Sequence, residues 1–189
     1  MKDSAIKALK YIGIGIFAVP ISIVTHEIGH YLVYQLFGAS NVQLHAFSVS
    51  ADKESVSNLQ NAFAAITGPI ITYLTVVFAY IMTSKNYQLF WIILALGGLI
   101  GRIVNFIYIY FRTAGYNPNP NFDEFNFSKF TSIEPLILSI ITAILFVIIY
   151  AVFLKKAWKE NGLKEIGLIL LSLISGVTVW NFVGGLILP

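Results

Sequence analysis

The chain has no cysteine. That excludes disulfides, thiolate metal sites, iron–sulfur clusters and a cysteine nucleophile, so any metal must be held by nitrogen and oxygen. Histidine is scarce, at three residues: His26, His30 and His45. Charge is scarce too. Only 11% of the 189 residues are Asp, Glu, Lys or Arg, against about 25% in a soluble domain. The sequence also lacks an aromatic–basic RNA-binding pattern, a finger or a compact basic helix, so the net charge of +3 does not point to nucleic acid as a partner. No internal repeat, low-complexity tail or separate soluble domain interrupts residues 1–189, which read as a single domain.

What the chain has instead is apolar blocks. A membrane crossing needs about 20 mainly apolar residues, and five segments qualify: 11–37, 61–84, 87–111, 135–154 and 166–188. The expected fold class is therefore all-α, a polytopic helix bundle embedded in a lipid bilayer. Gly38–Asn58 is polar, and Val42–Ala46 alternates like a short strand, so a β-like hairpin is expected after the first span. The first apolar run follows Lys7 and Lys10 and continues well past Ala18, which reads as an uncleaved anchor rather than a signal peptide. An N-terminus in the cytoplasm puts Lys2, Lys7, Lys10, Lys85, Lys155, Lys156, Lys159 and Lys164 inside and leaves Lys53, Arg112 and Lys129 outside. The positive-inside rule favours that orientation, in a multi-pass protein of the cell membrane.

The first span carries His26-Glu27-Ile28-Gly29-His30, and Glu27 is the only formal charge between Tyr11 and Phe37. Histidines four apart on a helix project from one face about one turn apart. Two imidazole nitrogens can then meet one zinc ion at about 2.0–2.1 Å. A glutamate beside the first histidine can take a proton from a metal-activated water and pass it to a leaving amine. A carboxylate within a spanning helix costs about 2.5–3.5 kcal/mol on insertion scales, so it is retained for pairing or for function.

A catalytic zinc needs a third protein ligand and an open position. Asp123 and Glu124 are the candidates, with Asp123 first. They follow the Asn- and Pro-rich segment Asn117–Asn121, precede the aromatic stretch Phe125–Phe130, and fall on the same side as the outer half of the first span. Glu134 completes Thr131-Ser132-Ile133-Glu134, a capping-box pattern. Glu160 and Glu165 lie among lysines and read as solvated.

On these residues the sequence resembles the site-2 protease group of intramembrane zinc metalloproteases. The likeness rests on His26–His30 with the apolar helix ending at Gly38, on Ala64-Ala65-Ile66-Thr67-Gly68-Pro69, and on Asn121-Phe122-Asp123-Glu124. It covers about the first two-thirds of the chain. The resemblance implies zinc bound by His26, His30 and Asp123, water activation by Glu27, and a peptide or protein substrate in the membrane. Two departures stand out. Thr72 replaces the asparagine that follows Gly-Pro in the family, and no glycine follows the aspartate. Family members often hold the site nearer the cytoplasmic face, whereas the lysine distribution here puts it nearer the other.

Gly68, Pro69, Thr72, Arg102 and Asn105 are the candidate substrate-binding residues. Pro69 would free the carbonyl near Ala65 for a substrate strand. Arg102 lies mid-span with Asn105 one turn on, either to stabilise an oxyanion or to hold a carboxylate such as Glu124. Asn181 reads as an interhelical hydrogen-bonding residue, and His45 as a loop residue. The expected activity is a membrane zinc metalloendopeptidase. The alternatives are a protease resembling the prenyl-protein peptidases, with Glu124 as third ligand, and a non-catalytic metal-binding scaffold.

Overall fold

The computed structural model describes residues 2–188; Met1 and Pro189, the ends of the expected 1–189 domain, lie outside the described residues. Four helices are long and apolar enough to cross a membrane. The first, α1 (Lys2–Leu36), leads into an antiparallel hairpin of β1 (Ser40–His45) and β2 (Ser48–Asp52), with Leu44 opposite Val49 and His45 opposite Ser48. A 3-10 turn (Lys53–Ser55) then leads to α2 (Asn58–Lys85). A capping box starts that helix: the Ser57 hydroxyl accepts from the Gln60 amide at 3.3 Å, and Gln60 Oε1 accepts from the Ser57 amide at 2.9 Å.

The apolar run at 87–111 is not one uniform helix. It forms α3 (Leu89–Gly98), tightens into a 3-10 turn at Ile100–Arg102, and resumes as α4 (Ile103–Thr113). Glycines make this packing possible. A Cβ on Gly97 would meet Ser22 and Val19 of α1, and one on Gly98 would meet Thr72 of α2. The segment before residue 123 is irregular, but Asp123–Phe130 is helical (α5), where the sequence had promised only an interfacial aromatic stretch. Asp123 and Glu124 in its first turn and Lys129 in its last complement the helix dipole.

The last helix, α6 (Pro135–Ile187), contains a break at Asn161 and Gly162, where Gly162 has φ +58° and ψ −141°, a combination essentially reserved for glycine. Contacts on either side give its two arms opposite directions. Phe153 and Lys156 lie beside Tyr80 and Thr83, so the first arm runs parallel to α2. Lys7 meets Glu165 and Tyr11 meets Ser172, so the second arm runs parallel to α1. The helix starts at Pro135, whose fixed φ suits the first helical position. Glu134 is therefore the N-cap residue itself and makes no side-chain cap bond; it pairs with Arg112 at 3.3 Å. The expected capping box is not formed.

The chemistry of the interior is that of a bundle in lipid. Small residues (Ala18, Ala64, Ala79, Ala95, Ala157) and polar ones (Ser139, Ser172, Asn61) are buried. Large apolar side chains such as Phe17, Leu36, Phe78, Ile144 and Phe182 face outward. Small residues bring helix backbones together where apolar solvent gives no hydrophobic drive between them. One buried acid overturns its sequence reading: Glu165 is only 2% exposed. It accepts hydrogen bonds from Tyr11, from Tyr87 at 2.8 Å and from Lys7 at 3.0 Å, tying α1 and the α2–α3 turn to α6. Two tyrosine hydroxyls and an ammonium replace the water it was expected to meet. Asn181, expected between helices, is exposed.

The α1–α6 contact makes a prediction. A Cβ on Gly15 would stand 2.7 Å from the carbonyl carbon of Ser172, whereas one on Gly13 would meet nothing within 4 Å. Gly15→Ala should lose about 1–3 kcal/mol of stability from overpacking, and Gly13→Ala should gain up to about 1 kcal/mol from helix propensity. Denaturant unfolding of the two variants in detergent measures the difference.

Candidate metal centre

The helical period puts His26 and His30 on the face of α1 that packs against α2. Their Nε2 atoms lie 3.1 Å apart. Asp123, at the start of α5, meets both: Oδ2 is 3.0 Å from His26 Nε2 and Oδ1 is 3.2 Å from His30 Nε2. The group can hold a metal ion. His45 stays on the hairpin, 2.9 Å from Ser50.

The outer nitrogens of the imidazoles fix how the inner ones are presented. His30 Nδ1 donates to the Ala64 carbonyl at 2.6 Å; a carbonyl can only accept, so the neutral ring carries its lone pair on Nε2. His26 Nδ1 lies 2.8 Å from the Thr72 hydroxyl, and a proton on Nδ1 leaves Nε2 free there as well. Two lone pairs and a carboxylate then face one another in a buried space. That arrangement is repulsive unless a cation or proton lies among them. The residues also fit a cation in size. Metal–ligand bonds of 2.0–2.1 Å in tetrahedral geometry imply ligand–ligand separations of about 3.3–3.4 Å, close to the 3.0–3.2 Å found.

Arg102 sits in the 3-10 turn between α3 and α4 and is buried. Its Nη2 donates to Asp123 Oδ2 and its Nη1 to Glu124 Oε1, each at 2.7 Å. This fork holds the first turn of α5 against the α3–α4 junction. Burial alone would raise the Asp123 carboxyl, but the Arg102 guanidinium and the two imidazoles hold it well below the usual carboxylate range. Asp123 is thus kept ionised, ready to act as a ligand.

Glu27 is buried and opens onto a cavity of about 390 Å³ shared with His26, His30, Asp123, Arg102 and Phe47. The hairpin closes one wall. Its tip is pinned to α6: the Ala46 amide donates to Leu188 O at 3.1 Å, and Trp180 Nε1 donates to Ala46 O at 3.0 Å.

The remaining sequence candidates fall outside the cavity wall, Arg102 excepted. Gly68 packs against the metal-facing side of the histidines; a Cβ there would collide with His30 Nε2 and stand 2.8 Å from His26 Nε2. Pro69 is buried within α2, which continues through it. Ala65, four residues earlier, lines the cavity instead. Thr72 stands behind His26. Asn105 is fully buried, its amide atoms without a protein partner, and does not line the cavity. Ala64 is the contributor that sequence reading missed, because it acts through its backbone carbonyl, and no side-chain pattern reports that. No protein-family model, curated protein or solved structure matches the chain.

Two substitutions test the supporting shell. Gly68→Ala puts a methyl where the imidazoles converge, and Thr72→Val removes the partner of His26 Nδ1. Thr72→Val should weaken binding of added Zn²⁺ or Co²⁺ by about 10–100-fold, the usual cost of losing a hydrogen-bond partner of a ligand, and Gly68→Ala should weaken it at least as much because its methyl would displace the His30 ring. Competition against a chromogenic chelator reads this without any substrate.

Proposed function

We propose that the protein is a membrane-embedded zinc metalloendopeptidase of the site-2 protease kind, with five crossings and a cytoplasmic N-terminus. The observation that carries the reading is the convergence of His26, His30 and Asp123 beside a buried glutamate in a cavity large enough for a peptide segment. Nitrogen and oxygen donors alone, at these separations, suit zinc. Alternating directions of α1, α2, the α3–α4 rod and the two arms of α6 support five crossings. Clustering of Lys7, Lys10, Lys155, Lys156, Lys159 and Lys164 at one end supports the orientation. His30 is then about 9 Å along the helix from Leu36, at 1.5 Å per residue, in the half of the bundle away from the cytoplasm.

The chemistry zinc supplies when bound is Lewis acidity, which polarises a carbonyl and acidifies water. The chain supplies the rest. His26, His30 and Asp123 would hold the ion. Glu27, next to His26 on the same helix, removes the proton from the attacking water and delivers it to the leaving nitrogen of the peptide bond. Arg102 is committed to Asp123 and Glu124, so its part is to position the ligand helix and not to receive an oxyanion. The hairpin and the α6 tip shield the reacting bond from bulk water. The prenyl-protein-peptidase alternative is disfavoured because Asp123, and not Glu124, lies against both imidazoles. The scaffold alternative leaves a buried Glu27 facing the cavity without a task.

Substitution of Glu27 separates these readings. In purified protein with a peptide library in detergent, Glu27→Gln should keep wild-type zinc content and lose cleavage by at least about 100-fold, the low end for a general base. His26→Ala should lose both zinc and cleavage. Undiminished turnover in Glu27→Gln would overturn the mechanism.

A further inference from the structure

Two cations at and beside the cavity have no ion pair among the described residues: Lys53, in its wall, and Lys129, which contacts the wall residue Asn126. Lys53, in the turn after the hairpin, lines the cavity. Its place is set from below: the buried Asn61 donates to the Lys53 carbonyl at 2.9 Å and accepts from the Tyr34 hydroxyl at 3.4 Å. On α5, Lys129 lies 4.8 Å above the Phe125 ring and 3.5 Å from Oδ1 of Asn126, another lining residue. Burial, and then the charge of Lys129, lower the Lys53 pKa. Most of the nearby acids are engaged elsewhere, and Glu54, the chain neighbour of Lys53, forms no ion pair with it. Asp123 and Glu124 are on Arg102, Glu134 is on Arg112, and Asp52 accepts from the Glu54 amide. Among the described residues neither lysine has an ion pair.

A buried base in the cavity wall, with Lys53 in the same wall and Lys129 against its Asn126, makes a directional site. A peptide bond brought to Glu27 carries its flanking residues past Lys53 and Lys129. We infer that Lys53 and Lys129 form an anion subsite that binds a carboxylate of the peptide substrate, so that bonds near an acidic residue or a free C-terminus are cleaved preferentially. This rests on the peptidase reading above. A peptide carboxylate fits better than a lipid headgroup because Lys53 lines the same cavity as Glu27.

The test offers wild type, Lys53→Gln, Lys129→Gln, the double variant and Lys53→Glu a pool of apolar peptides in detergent. Each position carries Asp, Asn or Lys in turn, and each peptide is made with a free and an amidated C-terminus. Cleavage is read by mass spectrometry, and metal-loaded Glu27→Gln protein is titrated with the same peptides to read affinity without turnover. Expected is a roughly 1.5- to fivefold preference for Asp over Asn, or for the free over the amidated end, set by partly exposed ion pairs. The two arms tell a side-chain carboxylate from a terminal one. The preference should vanish in the double variant, and Lys53→Glu should favour Lys-containing peptides over their Asn counterparts. Cleavage without any charge preference in wild type, or an unchanged preference in the variants, overturns the subsite and leaves the peptidase reading standing. Intact preference with weakened binding to phosphatidylglycerol vesicles assigns the lysines to lipid instead. A pool neither cleaved nor bound overturns the peptidase reading, and the subsite with it.

Discussion

Inside an apolar bundle, two imidazole Nε2 atoms 3.1 Å apart meet a carboxylate that touches both. In water such groups would solvate separately. Here they cannot, because His30 is fixed by the Ala64 carbonyl, His26 by Thr72, and Asp123 by Arg102. Much of the rest of the structure follows from holding these three donors together. Asp123 lies 97 residues beyond His26 in the chain, so the α3–α4 rod must carry Arg102 to the right depth to catch α5. The guanidinium answers two adjacent carboxylates in one fork, a geometry that a lysine could not reproduce. A buried charge is costly unless paired and hydrogen-bonded, and Arg102 meets that condition through its two acids.

The two ends of the bundle use polar groups differently. At the end away from the site, Glu165 is bonded by Tyr11, Tyr87 and Lys7, a closed cluster that fastens helices. At the site end, Glu27 faces the cavity with no hydrogen bond from another side chain. Close helix packing serves both ends. Gly15 and Gly176 let α1 and α6 touch, and Gly68 lets α2 approach the imidazoles. Without a hydrophobic drive between helices, contact of this kind and a few polar bonds hold the bundle together.

How much of this was legible in the sequence depends on the kind of signal. The histidine pair and Glu27 could be read because a helical period and a charge within an apolar run are local facts. The long apolar helices and the hairpin could be read for the same reason. The tight reversal at Asn161–Gly162 was visible only as a loop between apolar runs, since the residues on both sides remain helical. The break at Ile100–Arg102 was not legible, because it follows from glycines packing against α1 and α2. Helix α5 was missed for want of an apolar period, although acids at its start and Lys129 at its end marked its dipole. Glu165 looked solvated because its partners are tyrosines far away in the chain. Gly68 and Thr72, read as contacts to substrate, stand against the histidines, a relation that exists only once α2 lies against α1.

In the proposed function, His26, His30 and Asp123 share a zinc ion. Zinc K-edge X-ray absorption on protein loaded with one equivalent of zinc tests this most directly. The expected result is a four-coordinate shell of nitrogen and oxygen at about 2.0–2.1 Å, with the outer-shell scattering of two imidazoles. A six-coordinate oxygen shell without imidazole scattering would contradict it.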